Sequence, residues 1–182
     1  MKKLVLIILV LGAMILAIAV SAAAPANFAG TWMLDKEKSK GLDGRMQNAE
    51  SVQWVITQDD KQISIETKIT GGQNMGGGPG GGGGGGMRGG GMGGPRTFAL
   101  DGIETTTDLQ QGGTSTSKAT WSKDGTLLEL LSVRSGNFNG NEFRSATTDK
   151  LQLSSDGKVL TVKRDGESPR GPVDATLVFN KQ

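Results

Sequence analysis

The chain has 182 residues, with 20 basic and 18 acidic side chains, 30 glycines, and no cysteine, histidine or tyrosine. Without cysteine there can be no disulfide staple, thiolate metal site or lipoprotein-type acylation site, so stability must rest on a buried core. Without histidine, the Ser-His-Asp triad and the usual zinc sites are excluded as well.

Lys2 and Lys3 precede an unbroken apolar run from Leu4 to Val20, followed by Ser21-Ala22-Ala23-Ala24 and Pro25. This is the charged, apolar and cleavable layout of a secretory signal helix over residues 1–24, with cleavage after Ala22, Ala23 or Ala24. An uncleaved anchor is the alternative, because about 20 such residues can span a bilayer. The expected location is periplasmic or secreted, with membrane contact only through this segment. Removing Lys2 and Lys3 leaves 18 basic and 18 acidic residues, so the mature part carries no formal net charge. No block of like charge remains to track a phosphate backbone, and a nucleic-acid partner is not expected.

Residues 25–182 read as a single domain, probed element by element. Phe28, Gly30, Trp32 and Leu34 alternate with Ala29, Thr31 and Met33, which is the period of a strand. Lys36 to Gln47 is the one stretch after the signal with helical character. A second strand carries Val52, Trp54 and Ile56 on one face. A third carries Ile63, Ile65, Thr67 and Ile69, after a polar turn at Gln58 to Lys61.

The rhythm then breaks. From Gly71 to Gly94 there are 17 glycines in 24 residues. Glycine loses the most backbone entropy on ordering and brings no side chain to offset it, so residues 71–95 are expected to form an expanded flexible loop inside one domain. Loop closure grows costly only slowly with length, which makes such an insertion tolerable. Met75, Met87 and Met92 in this stretch could in principle hold a soft ion. With no histidine or cysteine to join them they are read as filler, and no metal or cofactor is expected.

After the loop come Arg96 to Leu100, Ile103 to Leu109, Ser115 to Trp121, Thr126 to Val133, Arg144 to Leu153, Val159 to Lys163 and Ala175 to Asn180. Asp101-Gly102, Asp124-Gly125 and Asp156-Gly157 punctuate them, and Asp-Gly between alternating runs is a strong hairpin signal. The expected fold is therefore all-β: an antiparallel up-and-down meander of about ten strands closing into a barrel. A β-sandwich is the alternative, but no long crossover of the Greek-key kind is visible.

Phe28-Ala29-Gly30-Thr31-Trp32 resembles the opening signature of the lipocalin and fatty-acid-binding superfamily, in which a Gly-x-Trp on the first strand closes the barrel base. The order of Gly30 to Asp35, Asp101-Gly102, Ala119 to Trp121, Leu153 to Val162 and Leu177 to Lys181 is similar to lipocalin-like secreted bacterial proteins of unknown function. The resemblance implies a structural role for Gly30 and Trp32, and a late basic residue against Trp32, for which Lys163, Arg164 and Lys181 are the candidates. The Arg-x-Tyr clamp for fatty-acid carboxylates is absent, since Arg164 and Arg170 have no phenolic partner.

No residue pattern supports catalysis: the carboxylate pair Asp59-Asp60 sits in a polar turn, and the glycine tract lacks a phosphate-cradling ending. The candidate site is instead an interior lined by Trp54, Ile63, Ile65, Phe98, Ile103 and Trp121. Such apolar faces either pack solidly or line a pocket. The sequence thus points to a monomeric, non-catalytic binding protein for a small hydrophobic ligand. The alternative is an envelope or matrix component with a packed barrel and a glycine-rich contact loop.

Overall fold

A computed structural model describes residues 24–71, 95–109, 113–138 and 140–182. The expected signal, apart from Ala24, and the glycine-rich stretch 72–94 lie outside the described residues. Among the described residues there are ten strands: β1 Gly30–Leu34, β2 Ser51–Gln58, β3 Gln62–Thr70, β4 Arg96–Ala99, β5 Thr105–Asp108, β6 Thr114–Trp121, β7 Leu127–Phe138, β8 Asn141–Leu153, β9 Val159–Ser168 and β10 Gly171–Lys181. One short helix, α1, spans Gly44–Asn48.

Every pairing is antiparallel, and the strands form a single sheet in the order β4-β3-β2-β1-β10-β9-β8-β7-β6-β5. The first and last strands are neighbours in that order, with Trp32 opposite Lys181. The two free edges belong to β4 and β5, which are consecutive in the chain but do not pair, and β4 instead lies against β6. The sheet has therefore rolled into a nearly closed barrel with one seam, as the meander pattern predicts, rather than into a sandwich.

Two of the turns are built alike. Ser122 and Ser154 each donate a hydroxyl hydrogen bond at 2.6 Å to the aspartate two residues on, Asp124 and Asp156. Each serine oxygen also accepts the amide that opens the next strand, Leu127 or Val159. Gly125 and Gly157 supply the left-handed positions, with φ of 69° and 68°.

Two expectations need correction. The helical stretch is not Lys36 to Gln47: Lys40 bridges to Thr176 of β10, and the helix is a single turn that begins where Asp43 accepts the amide of Met46. Ile103 is not in a strand. Asp101 accepts its amide at 2.9 Å in the connection between β4 and β5, and its side chain is 64% exposed. The chain leaves β4 at that point without pairing, so no ladder turns Ile103 inward, and it does not line the interior.

The core is one cluster inside the barrel. It contains Phe28, Trp32, Trp54, Ile56, Ile63, Ile65, Phe98, Leu128, Leu151, Leu160 and Phe179, each no more than 2% exposed. Full burial of one such aliphatic or phenylalanine side chain contributes about 1.5–3 kcal/mol.

Candidate functional site

Residues directly opposite one another in an antiparallel ladder share a face, so the pairing register can be followed across five strands, β6 to β10, as rows around the inner wall. The first row runs Trp121, Leu128, Leu151, Val162, Leu177. Two residues further along each strand the row is Ala119, Leu130, Asp149, Arg164, Ala175. Two further still it is Ser117, Ser132, Thr147, Gly166, Val173. The inner wall therefore changes from apolar to charged to small and hydroxyl-bearing within three rows. The last row is half-buried throughout, which leaves it within reach of solvent at the barrel mouth.

The base is sealed. Phe28 stacks on Trp121 with ring centres 5.9 Å apart. The segment carrying Phe28 is tied across the end by Gln58, which accepts from the Phe28 amide and donates to the Ala26 carbonyl. Trp32 is fully buried and its Nε1 donates to the Phe28 carbonyl at 2.8 Å. Lys181 is the late basic residue: its Nζ lies 5.2 Å from the centre of the Trp32 ring, and its Cε is what a side chain at Gly30 would meet. Arg164 and Lys163 do not take that role.

Arg164 belongs to the middle of the barrel. Its Nε and Nη2 donate to the two oxygens of Asp149, at 2.6 and 2.8 Å. Arg96, on β4 opposite Ile65, adds one longer bond to Asp149 at 3.3 Å. Both guanidinium groups lie near the face of Trp54, with Cζ 5.7 Å (Arg96) and 6.0 Å (Arg164) from the ring centre. Trp54 also packs on Phe179 at 4.7 Å. Its indole Nε1 is buried and has no hydrogen-bond partner among the described residues. An unpaired buried donor costs about 1–3 kcal/mol, so this one calls for an acceptor.

The electrostatics of the cluster follow from burial set against contact. Burial alone would raise the carboxyl of Asp149, but the hydrogen bonds and charge of Arg164, with the charge of Arg96, outweigh it and hold the group below the usual carboxylate range. Burial works against Arg164 too, yet its bonds to Asp149 push its titration upward. Arg96 moves the other way, because burial and the neighbouring Arg164 charge exceed what Asp149 returns. Both arginines remain cations at any physiological pH. Two cations thus face the one buried carboxylate of Asp149, with the Asp43 charge acting on Arg164 as well.

The segment with α1 also packs on the core. Met46 and Ala49 join the core cluster, with Leu42 packed against it. The Lys36 ammonium donates to the carbonyls of Gln47 and Ala49 at the end of the helix. Asp43 at the helix start is close enough for its charge to act on Arg164.

Of the residues singled out in the sequence, Trp54, Ile63, Ile65 and Phe98 are buried inside the barrel, and Trp121 is half-buried in the sealed base. Ile63 faces Phe98 across β3 and β4. Clefts open on the surface of the described residues. One of about 540 Å³ lies along the seam between Lys61, Leu100 and Thr105, and one of about 440 Å³ lies over Ala146 and Glu167. Neither is lined by Trp54 or Trp121. The residues that the sequence reading passed over are Arg96, Asp149 and Arg164. Their signal is parity: Arg164 continues Leu160 and Val162 at every second position, and Asp149 precedes Leu151 and Leu153 in the same way.

No protein-family model matches this chain, and no curated protein matches it. Among solved structures, it is similar to the REP1-NXSQ fatty acid transporter, with a TM-score of 0.47 and 12% identity over 85% of this chain and 95% of that one. It is also similar to zebrafish ileal bile acid-binding protein complexed with cholic acid, with a TM-score of 0.46 and 10% identity over 85% of this chain and 98% of that one. The fatty acid-binding protein from Drosophila melanogaster brain gives a TM-score of 0.46 and 17% identity over 85% of this chain and 99% of that one.

Proposed function

We propose that this chain is an exported, non-catalytic binding protein whose barrel mouth takes a small, largely apolar molecule. The observation that carries the reading is Trp54: a buried indole in the middle of the barrel whose Nε1 has no partner among the described residues, below a row of small half-buried side chains. An interior built only for packing has no use for an orphaned donor at that depth. The sealed base leaves the mouth side of Trp54 as the place for a ligand. Export is supported by the charged, apolar and small-residue order of residues 1–24.

The packed base also favours a second reading, an envelope component whose barrel is solid. Titration of the purified full-length mature protein with a panel of lipids and pigments separates the two. A ligand at the mouth shifts tryptophan emission and gives a saturable heat of binding, and both changes shrink in a Trp54→Phe variant. No heat with any member of the panel, together with no small molecule carried through native mass spectrometry from the envelope fraction, rejects the binding reading in favour of the solid barrel.

A further inference from the structure

The seam leaves one edge of β4 without a strand, and the register tells which peptide groups face the gap. The Leu100 amide donates to the Lys61 carbonyl at 2.7 Å, one pair beyond the match of Gln62 with Ala99. Bonded and unbonded pairs alternate in an antiparallel ladder, so Arg96 and Phe98 turn their peptide groups to β3, while Thr97 and Ala99 turn theirs to the seam. The strand across the gap repeats this. The Ser122 amide bonds to the Leu127 carbonyl, so the alternation on β6 aims the peptide groups of Ala119 at the seam, where β5 pairs only with Thr114 to Ser117. Ala119 is 1% exposed, and buried peptide groups need partners. Space lies beside these groups: the cleft of about 540 Å³ has Thr97 and Ala99 on one side and Thr105 and Ser117 on the other. Next to it, in the β4–β5 connection, stands Ile103, the large hydrophobic side chain that is exposed among the described residues.

We propose that this cleft docks an extended peptide segment of a partner protein, which adds a strand along β4 by bonding to the outward peptide groups of Thr97 and Ala99. A segment of four residues, about 13 Å long, matches the length of β4. Main-chain bonds supply the affinity in this mode, and the side chains around the edge set the preference. Neither β4 nor β5 carries the lysine or proline that commonly guards an edge against such pairing. Of the charged side chains lining the cleft, Asp60 and Asp101 are acids and Lys61 is the base, and Glu104 follows in the connection. All four are exposed, so a segment with basic side chains is favoured over an acidic one. Ile103 offers methyl groups to an aliphatic neighbour. The inference stands apart from the interior binding reading, because its contacts are made at the edge of the sheet and not inside the barrel.

Fluorescence anisotropy of the labelled peptide acetyl-Lys-Val-Thr-Val-Thr-Lys-amide, titrated with the mature protein, tests this. The peptide is expected to bind, and N-methylation of its four central amides should weaken it about tenfold or more, the weight of its main-chain hydrogen bonds. A version with glutamate in place of both lysines should bind more weakly than the parent peptide. Ala99→Pro removes an N–H that points away from β3, so the ladder should survive, as near-ultraviolet circular dichroism will register. It should weaken the peptide about two- to tenfold. Ile103→Ser alters an exposed side chain, keeps the fold safe and should weaken the peptide about two- to fivefold. Equal binding of the N-methylated peptide, or a parent peptide indifferent to both Ala99→Pro and Ile103→Ser, overturns strand pairing at β4. Tighter binding of the glutamate peptide overturns the basic partner. Self-association of the protein that Ala99→Pro abolishes gives the edge to a second copy and overturns the partner segment. No binding of any of these peptides at about millimolar concentration overturns the site, and none of these results bears on the interior.

Discussion

Arg164 and Asp149 meet across β8 and β9 in a two-pronged contact, at 2.6 and 2.8 Å, with Asp149 only 1% exposed. Replacing Arg164 with Met strands a buried carboxylate on the single longer bond from Arg96. Equilibrium unfolding in urea should then show a loss of about 3–5 kcal/mol, the usual cost of breaking one side of a buried pair. The triple replacement Arg164→Met, Asp149→Leu and Arg96→Met, which removes every charge of the cluster, should recover most of that loss. A single variant within about 1 kcal/mol of the parent is the range of an exposed pair and would contradict the buried geometry.

Acid sensitivity follows from the depressed carboxyls. Asp35 accepts from the Lys38 ammonium, from Asn180 and from the Lys38 amide, which together bring its pKa from 3.8 to about 2. A folded-state pKa below the unfolded one contributes stability that is complete above the unfolded value and disappears as pH falls through the folded value. The stability gap between the parent and Asp35→Asn should hold from neutrality down to about pH 4 and close towards about pH 2. Asp149 is depressed in the same direction, so its contribution is likewise complete above the unfolded carboxylate value and is lost on acidification through its folded one. A gap that widens on acidification would reverse the sign and refute the assignment.

At the base of the barrel Trp32 and the Lys181 ammonium over its ring contribute unequally. Trp32→Ala removes a fully buried indole and should cost about 3–5 kcal/mol. Lys181→Gln removes only the cation over the ring of an already packed side chain and should cost about 0.5–1 kcal/mol. Thermal melts of both variants will rank them. A Lys181 variant as damaged as the Trp32 variant would mean that the ammonium, not the packing, closes the end.

The twin turns at Ser122-Lys123-Asp124-Gly125 and Ser154-Ser155-Asp156-Gly157 share their serine and backbone hydrogen bonds, but Asp124 accepts one more, from the Thr126 hydroxyl. Asp124→Ala and Asp156→Ala should each destabilise by about 1 kcal/mol, Asp124→Ala by the larger amount, and the costs should add in the double variant, because the turns share no partner. Urea midpoints measure it. Equal costs would show that the Thr126 hydroxyl contributes nothing.

The strand count and the meander were legible because the ladders other than β5 with β6 have one apolar and one polar face, and because Asp-Gly turns mark several of the reversals. The sequence reading placed Ile103 on a strand because it sits among threonines at the right period, but pairing, not period, turns a side chain inward, and the chain unpairs at the seam. The role of Lys181 could not be separated from those of Lys163 and Arg164, since only the register of β1 with β10 brings one of them opposite Trp32. The charged cluster was hidden for a related reason. Parity places Arg164 and Asp149 on their apolar faces, yet only the β8–β9 register puts them side by side, and only barrel closure brings Arg96 of β4 to the same indole.

The seam between β4 and β5 gives this barrel a preferred line of opening. Everywhere else in the wall, parting two neighbours breaks a ladder of backbone hydrogen bonds. Here two adjacent segments of chain can separate with none to break, as a rolled sheet of paper loosens along its unglued edge. Arg96 stands on one lip of that opening, so a small outward swing of β4 would widen the interior and stretch its 3.3 Å bond to Asp149 in one movement.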